Sequence, residues 1–286
     1  MRVGVLTGGN LGKETLEKII NNFEVAFVLT DCNSQGVLKL CKENKIPFLK
    51  GNPRKGKGYN FIKNIEVDVI VSVNYLFLIE KDIIQHSKVL TFNVHGSLLP
   101  KYRGRTPHVW AIINSEKETG ITAHVIDEGC DTGDVISQIK IGIEEYDTGN
   151  DILNKYKLEY FSLIKEVFRK VNTGQLELIK QDENFATYFG IRKPENGKIN
   201  WNWQKERIYN WIRAQAKPYP GAYTYFEGKK LIIDRIIYTK VGYVDEMPNG
   251  LVLSADPFLI KTPNGVVELC DVRRFEFEIK TNKILD

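Results

Sequence analysis

The sequence predicts a doubly wound, mostly parallel α/β sheet followed by a smaller β-rich domain. Three observations predict it. Short apolar runs alternate with amphipathic stretches through the first half of the chain, the pattern of parallel strands joined by crossover helices. An amide, an imidazole and a carboxylate (Asn93, His95 and Asp131) fall just past the carboxyl ends of two of those runs, where such sheets bind their ligands. From about Gln181 the texture changes to short strands separated by Gly, Pro and Asn.

Taken in order, the strands are expected at residues 3–6, 25–29, 67–73, 89–92 and 121–126, with a short third strand at Pro47-Phe48. Helices are expected at 13–21, 34–44, 81–86, 106–114 and, longest, 149–172. Ser34 offers an N-cap, and Thr148-Gly-Asn-Asp151 a capping region for the long helix. The basic stretch 51–58 reads as a solvated loop. Lys193-Pro-Glu-Asn-Gly-Lys198 is turn-rich and reads as a linker, and with the change of texture from about Gln181 the domains are expected at 1–185 and 186–286. The second domain begins with a helix at 204–216, whose Ile208, Trp211 and Ile212 keep helical spacing and which ends before Pro218 and Pro220. Strands at 222–226, 231–238, 250–253, 259–261 and 266–272 then make a small β-barrel or meander. No repeats or low-complexity tracts interrupt the pattern.

A chain of 286 residues suits two compact domains. Forty Lys and Arg against 36 Asp and Glu give a net charge of +4, too mild to imply a nucleic-acid partner. Cys32, Cys41, Cys130 and Cys270 form no Cys-x-x-Cys spacing and read as reduced thiols of a cytoplasmic protein. The start of the chain enters a strand at once, so neither a signal peptide nor a membrane span is expected. His108 and His124 lack ligand-like spacing, and the aspartates around Asp131 form no metal set, so no metal is expected.

The chemistry concentrates in Thr91-Phe-Asn-Val-His-Gly-Ser-Leu-Leu-Pro-Lys-Tyr-Arg-Gly104 and Asp127-Glu-Gly-Cys-Asp-Thr-Gly-Asp134. Asn93 and His95 are two apart at a strand end, so their side chains leave one face. An amide, an imidazole and a carboxylate placed there suit proton transfer beside a donor to a developing oxyanion. Thr7-Gly-Gly-Asn-Leu-Gly12 lacks dinucleotide-motif spacing. Its Gly8, Gly9 and Asn10 read equally as a plain tight turn or as a turn that lets backbone N–H groups approach a phosphate. Lys101, Arg103 and Arg105 are dense enough beside the active strand to suggest a phosphate or diphosphate. Cys130, although beside Asp131, reads as a packing residue rather than a nucleophile.

Asn93-Val-His95, Ser97-Leu-Leu-Pro100 and Asp131-Thr-Gly133, with Asp131 placed 38 positions after Asn93 (131 − 93), resemble the N10-formyltetrahydrofolate-dependent formyltransferases. That superfamily includes glycinamide ribonucleotide, methionyl-tRNA and nucleotide-sugar N-formyltransferases. Tyr188-Phe-Gly-Ile-Arg-Lys-Pro-Glu-Asn-Gly-Lys-Ile-Asn-Trp201, Ile212-Arg-Ala214 and Pro218-Tyr-Pro-Gly-Ala222 extend the likeness to the C-terminal region of two-domain members. The resemblance implies a Rossmann-like catalytic domain, an OB-like second domain, and formyl transfer from N10-formyltetrahydrofolate to a primary amine. It implies that Asn93 and a protonated His95 face the alkoxide, that His95 moves protons, and that Asp131 orients and charge-stabilises the imidazole. It places the pterin between Phe77, Leu78 and Ile79 on one side and Asp127, Glu128, Gly129 and Cys130 on the other, held through main-chain atoms.

The resemblance leaves several acceptors to choose among. Methionyl-tRNA enzymes carry a long basic insertion after the second strand, whereas here Thr30-Asp-Cys-Asn33 leads straight into a helix. The purine-pathway enzyme has one domain, which would leave residues 188–286 surplus. The expected acceptor is therefore a nucleotide-linked amino sugar destined for a surface polysaccharide such as an O-antigen. Arg103, Arg105 and Trp110 are then candidates for its diphosphate and base. No nucleic-acid or membrane partner is expected, and a homodimer is left open. The alternatives are a methionyl-tRNA formyltransferase, a formyl-folate hydrolase, and a non-catalytic RNA- or folate-binding protein.

Overall fold

The first strand, β1 (Arg2–Thr7), is buried from its second residue onward, as a central parallel strand covered on both faces must be. The computed structural model describes residues 1–286. After β1 come α1 (Gly9–Ile20), β2 (Glu24–Thr30), α2 (Gln35–Glu43), β3 (Phe48–Lys50), α3 (Lys57–Ile62), β4 (Val69–Val73), α4 (Lys81–Ile84) and β5 (Leu90–His95). Two-residue β6 (Arg103–Gly104) precedes α5 (Pro107–Ile113), β7 (Glu118–Val125), β8 (Val135–Gly142), α6 (Gly149–Thr173) and β9 (Tyr188–Phe189). The main sheet runs β3-β2-β1-β4-β5-β7-β8. Neighbours from β3 to β5 pair in parallel and β7 lies antiparallel to β5, so the expectation of a mostly parallel doubly wound sheet holds.

The chain divides into two compact units that interleave along the sequence. One comprises residues 1–104, 120–141 and 155–189; the other comprises 105–119, 142–154 and 190–286. Two short segments thus leave the expected first domain, because α5 packs against α7 (Lys205–Ala214) within the second unit. That unit also holds β10 (Ala222–Phe226), β11 (Lys229–Tyr238), β12 (Val252–Ala255), β13 (Phe258–Thr262) and β14 (Gly265–Val272). They form an antiparallel sheet ordered β10-β11-β14-β13-β12, the expected β-rich domain. Its core joins Ile208 and Ile212 of α7 to Phe226, Ile233, Ile260 and Val267. Register shifts around Arg235 interrupt the long β11, the irregularity through which such sheets bend.

Local chemistry departs from the sequence expectation at three places. The stretch 51–58 is not free in solvent. Glu80 accepts the N–H groups of Lys55 and Gly56 at 3.0 and 3.2 Å, and α3 begins directly after left-handed Gly56. Ser34 precedes α2 but makes no cap. Its hydroxyl donates to Asp31 and accepts the Gly9 N–H instead. The edge strand β8 went unpredicted although Ile139-Lys-Ile141 alternates as a strand should. Thr148 and Asp151 do cap α6, each accepting the other's backbone N–H.

Within the first unit β5 alternates its faces. Phe92 points into the core, where its ring meets Phe168 of α6 edge-on at 6.0 Å, while Asn93 and His95 serve other surroundings. Phe92→Ala is expected to cost about 3–5 kcal/mol, the range for emptying a large aromatic site. Urea denaturation would check this through its midpoint. A loss below about 1 kcal/mol would mean that Phe92 is not part of the support for β5.

Candidate active site

Strand pairing sets the site. In the β5–β7 ladder Asn93 lies directly opposite His124, and His95 opposite Thr122. Cross-strand side chains on one face approach closely, and the Asn93 Nδ2 lies 3.2 Å from His124 Nε2. Asp131 arrives from the loop that follows β7, in left-handed conformation with φ 57°. That loop can pass close to β7 because residue 133 is glycine: a Cβ there would stand 2.0 Å from the Val125 carbonyl oxygen. The three residues expected to carry the chemistry are thus brought together, with His124 as a fourth.

Hydrogen bonds assign the protons. His95 Nε2 is 2.8 Å from the Tyr102 carbonyl, which can only accept, so Nε2 carries hydrogen. His95 Nδ1 faces Asp131 Oδ2 at 3.5 Å. His124 Nδ1 meets the Val125 carbonyl at 2.9 Å and therefore donates, leaving Nε2 to accept from Asn93 and to face Asp131 Oδ1 at 3.5 Å. Asp131 Oδ2 also accepts the Gly104 N–H at 2.9 Å. One carboxylate stands between two imidazoles, fixed by a backbone amide. One Asn93 N–H goes to His124, and the second meets no protein acceptor.

Burial pulls the His95 imidazole below its ordinary value, with the Asp131 charge opposing. Burial also works against ionisation of Asp131, but the charge that His95 carries once protonated and the Gly104 N–H outweigh it. Its carboxyl is held well below the usual carboxylate range. The resting site is accordingly an ionised Asp131 beside a neutral His95. This differs from the expected protonated His95 donating beside Asn93: both ring nitrogens already face protein acceptors, and the open donor is the Asn93 amide.

The apolar loop after β4 leaves Leu76 and Leu78 at 50% and 71% exposure, with Phe77 and Ile79 half-buried and Tyr75 edge-on to Phe77 at 5.5 Å. Asp127, Glu128, Gly129 and Cys130 are exposed. Thr132 donates to both Asp127 oxygens and Gly129 N–H to one of them, so this loop is internally braced. Lys81 at the start of α4 reaches Glu128 at 3.2 Å, bringing the two loops expected to flank the pterin together.

The basic candidates separate. Lys101 and Arg105 are exposed. Arg103 is corrected: it is fully buried, its guanidinium held by both oxygens of Glu183, by Gln181 and by the Tyr188 hydroxyl, so it cannot meet a diphosphate. Trp110 donates its indole N–H to Gly190 and stacks under Arg192 at 4.8 Å, a packing arrangement instead of an open base platform. The Gly8-Gly9-Asn10 turn is also served internally. Ser34 takes the Gly9 N–H, an ideal Cβ on Gly8 would lie 2.6 Å from an Asp31 carboxylate oxygen, and Asn10 donates to Glu14. A carboxylate already sits where a phosphate was expected.

Sequence reasoning missed His124, weighed only as a metal ligand, and Gln181. The available signal for His124 was an imidazole inside the apolar run 121–126, shortly before Asp131. Gln181 carried none.

The family model "Formyl transferase" matches residues 1–167, and "Formyl transferase, C-terminal domain" matches 192–278. The bifunctional polymyxin resistance protein ArnA of Wigglesworthia glossinidia brevipalpis is 31% identical over 287 residues, covering 97% of this chain. This chain spans only 43% of the length of that relative. An N-formyltransferase from Helicobacter canadensis, solved with folinic acid and dTDP-3-aminofucose, has a TM-score of 0.73 at 24% identity, covering 93% of this chain and 98% of that one. WlaRD, a sugar 3N-formyl transferase solved with dTDP and 5-N-formyl-THF, gives 0.71 at 24% identity, covering 94% and 96%. At that identity the two structures share the fold with this chain.

The electrostatics predict a pH signature. Neutral His95 takes up its proton only as pH falls below the ordinary histidine range. In Asp131→Asn the opposing charge is gone and the titration moves lower still. Ring-nitrogen NMR of His95 across pH measures both; a midpoint above the ordinary value, or one that rises in Asp131→Asn, would contradict the assignment.

Proposed function

The chain belongs to the formyl transferase family, and from that premise we propose that it moves a formyl group from N10-formyltetrahydrofolate to the primary amine of a nucleotide-linked amino sugar. The observation that carries the chemistry is the cluster of Asn93, His95, His124 and Asp131 at the end of β5. Attack of the amine lone pair on the formyl carbon sends the carbonyl π electrons to oxygen, and the second Asn93 N–H donates to that alkoxide. His95 Nδ1 accepts the ammonium proton, directly or through one water, and Asp131 balances the imidazolium that results. Collapse re-forms the carbonyl and breaks the bond to the folate nitrogen, which takes the proton back. The products are a formamide and tetrahydrofolate, with no covalent enzyme intermediate.

Exposed Leu76 and Leu78, with half-buried Phe77 and Ile79, fit one wall of a slot for a flat pterin, and the braced loop 127–130 fits the other through its main chain. Three observations support a sugar nucleotide over a tRNA. Only residues 31–34 separate β2 from α2, with no room for a basic insertion. The net charge is +4, and a tRNA surface would need an extended basic field. Both solved neighbours described above are named as sugar N-formyltransferases or carry a dTDP-amino sugar. Lys101 and Arg105 remain the proposed diphosphate contacts, and four free cysteines suit a cytoplasmic setting.

The test offers the enzyme formyl-folate with dTDP-, UDP- and GDP-linked amino sugars and with methionyl-tRNA, following folate absorbance and product mass. Formylation of an amino sugar is expected; formylation of methionyl-tRNA alone would contradict the acceptor while keeping the chemistry. On the accepted sugar, Asn93→Ala should stay folded and lose on the order of 100- to 1000-fold in turnover. Near-normal turnover would remove Asn93 from the oxyanion role.

A further inference from the structure

Buried Gln181 links Arg103 to the loop that carries Asp131. Its Oε1 accepts from Arg103 Nε and Nη2 at 3.1 and 2.8 Å, and its Nε2 donates to the carbonyls of Asp131 and Gly133 at 2.9 and 2.7 Å. The amide orientation follows from its neighbours: a guanidinium has only donors and a carbonyl only accepts, so a flipped amide would face like against like on both sides. Arg103 is held in turn by a two-point pair with Glu183 and by Tyr188.

The neighbours of Arg103 complete the arrangement. The Tyr102 carbonyl takes the His95 Nε2 hydrogen, and the Gly104 N–H donates to Asp131 Oδ2. Residues 102–104 therefore touch both His95 and Asp131 through backbone, and hold the Asp131 backbone through Arg103 and Gln181. Gly104 is required at this point: its φ is 102°, and a Cβ would stand 2.3 Å from the Phe189 carbonyl oxygen. Asp131 itself sits in the left-handed region, which a non-glycine residue holds only when its surroundings impose it. The two carbonyl bonds from Gln181 are part of those surroundings.

We propose that Gln181, braced by Arg103, is a positioning residue for formyl transfer, setting the Asp131 carboxylate between His95 and His124. The proposal rests on the reading that Asp131 acts in the reaction. It explains why a basic residue beside the catalytic strand is buried: Arg103 serves as the anchor of the catalytic loop.

Gln181→Glu separates the two sides of the bridge. The carboxylate keeps an oxygen for Arg103 but turns an acceptor toward the Asp131 and Gly133 carbonyls. With thermal midpoint and circular dichroism showing a folded protein, kcat on the accepted amine should fall on the order of 10- to 100-fold, the scale of a displaced catalytic group, with the folate KM little changed. The His95 titration should move down, toward that of Asp131→Asn, a change that a purely structural role would not produce. In the double variant the loss should not exceed that of Asp131→Asn alone. Should Gln181→Glu fail to fold, Arg103→Lys, which keeps the charge and loses the fork, is measured the same way and should show the same split and the same shift in His95. Normal turnover in the folded variant, or losses that add in the double variant, overturns the positioning role. Normal turnover in Asp131→Asn instead overturns the reading of Asp131 on which it rests.

Discussion

The site depends on one carboxylate kept ionised in a largely buried place. Asp131 loses hydration by its position and regains stabilisation from the Gly104 N–H and, once His95 takes up a proton, from that charge 3.5 Å from Oδ2. The other polar groups follow from that. His124 can accept from Asn93 because its Nδ1 donates to the Val125 carbonyl, and this orients the Asn93 amide with one N–H remaining. His95 rests neutral because burial outweighs the nearby charge, yet it can take a proton because that charge is in place. A base that is uncharged at rest, beside an anion that stabilises its charged form, is suited to accept a proton from an amine as it becomes an ammonium.

The fold makes this arrangement repeatable. Parallel strands β4 and β5 end together, and antiparallel β7 brings His124 opposite Asn93. The apolar loop after β4 and the polar loop after β7 are joined by Lys81 and Glu128, an exposed pair that contributes little stability but shows that the loops are neighbours. A ligand with a flat apolar face and polar edges suits walls of those two kinds.

Much of this was legible in the sequence. Strands from 3 to 126, the long helix from Gly149, and the antiparallel character of the second domain follow from apolar periodicity, which is strong where a strand is buried on both faces. The Asn93–His95 pair was legible because a two-residue spacing in a strand shares a face. Other features were not, for specific reasons. In β8, an edge strand with only part of one face buried, the alternation is confined to Ile139-Lys-Ile141 and is too short to stand out. Arg103 looked like an anion ligand because local sequence cannot show a partner 80 positions away, and Glu183 is that partner. Ser34 looked like a helix cap because nothing local reveals that Asp31 and Gly9 claim its hydroxyl. Gln181 is invisible to motif reasoning because its partners come from two segments about 50 and 80 positions away.

The central claim is that Asp131 is ionised at rest while its neighbour His95 is not. The direct measurement is the side-chain carboxyl carbon shift of Asp131 in protein labelled with carbon-13 aspartate, followed from about pH 8 to about pH 5, well above the unperturbed carboxylate range. The account predicts a shift characteristic of carboxylate throughout, with at most a small inflection where His95 takes up its proton. A full protonation step within that window would show Asp131 to be an acid at rest, and would contradict the assignment of the pair.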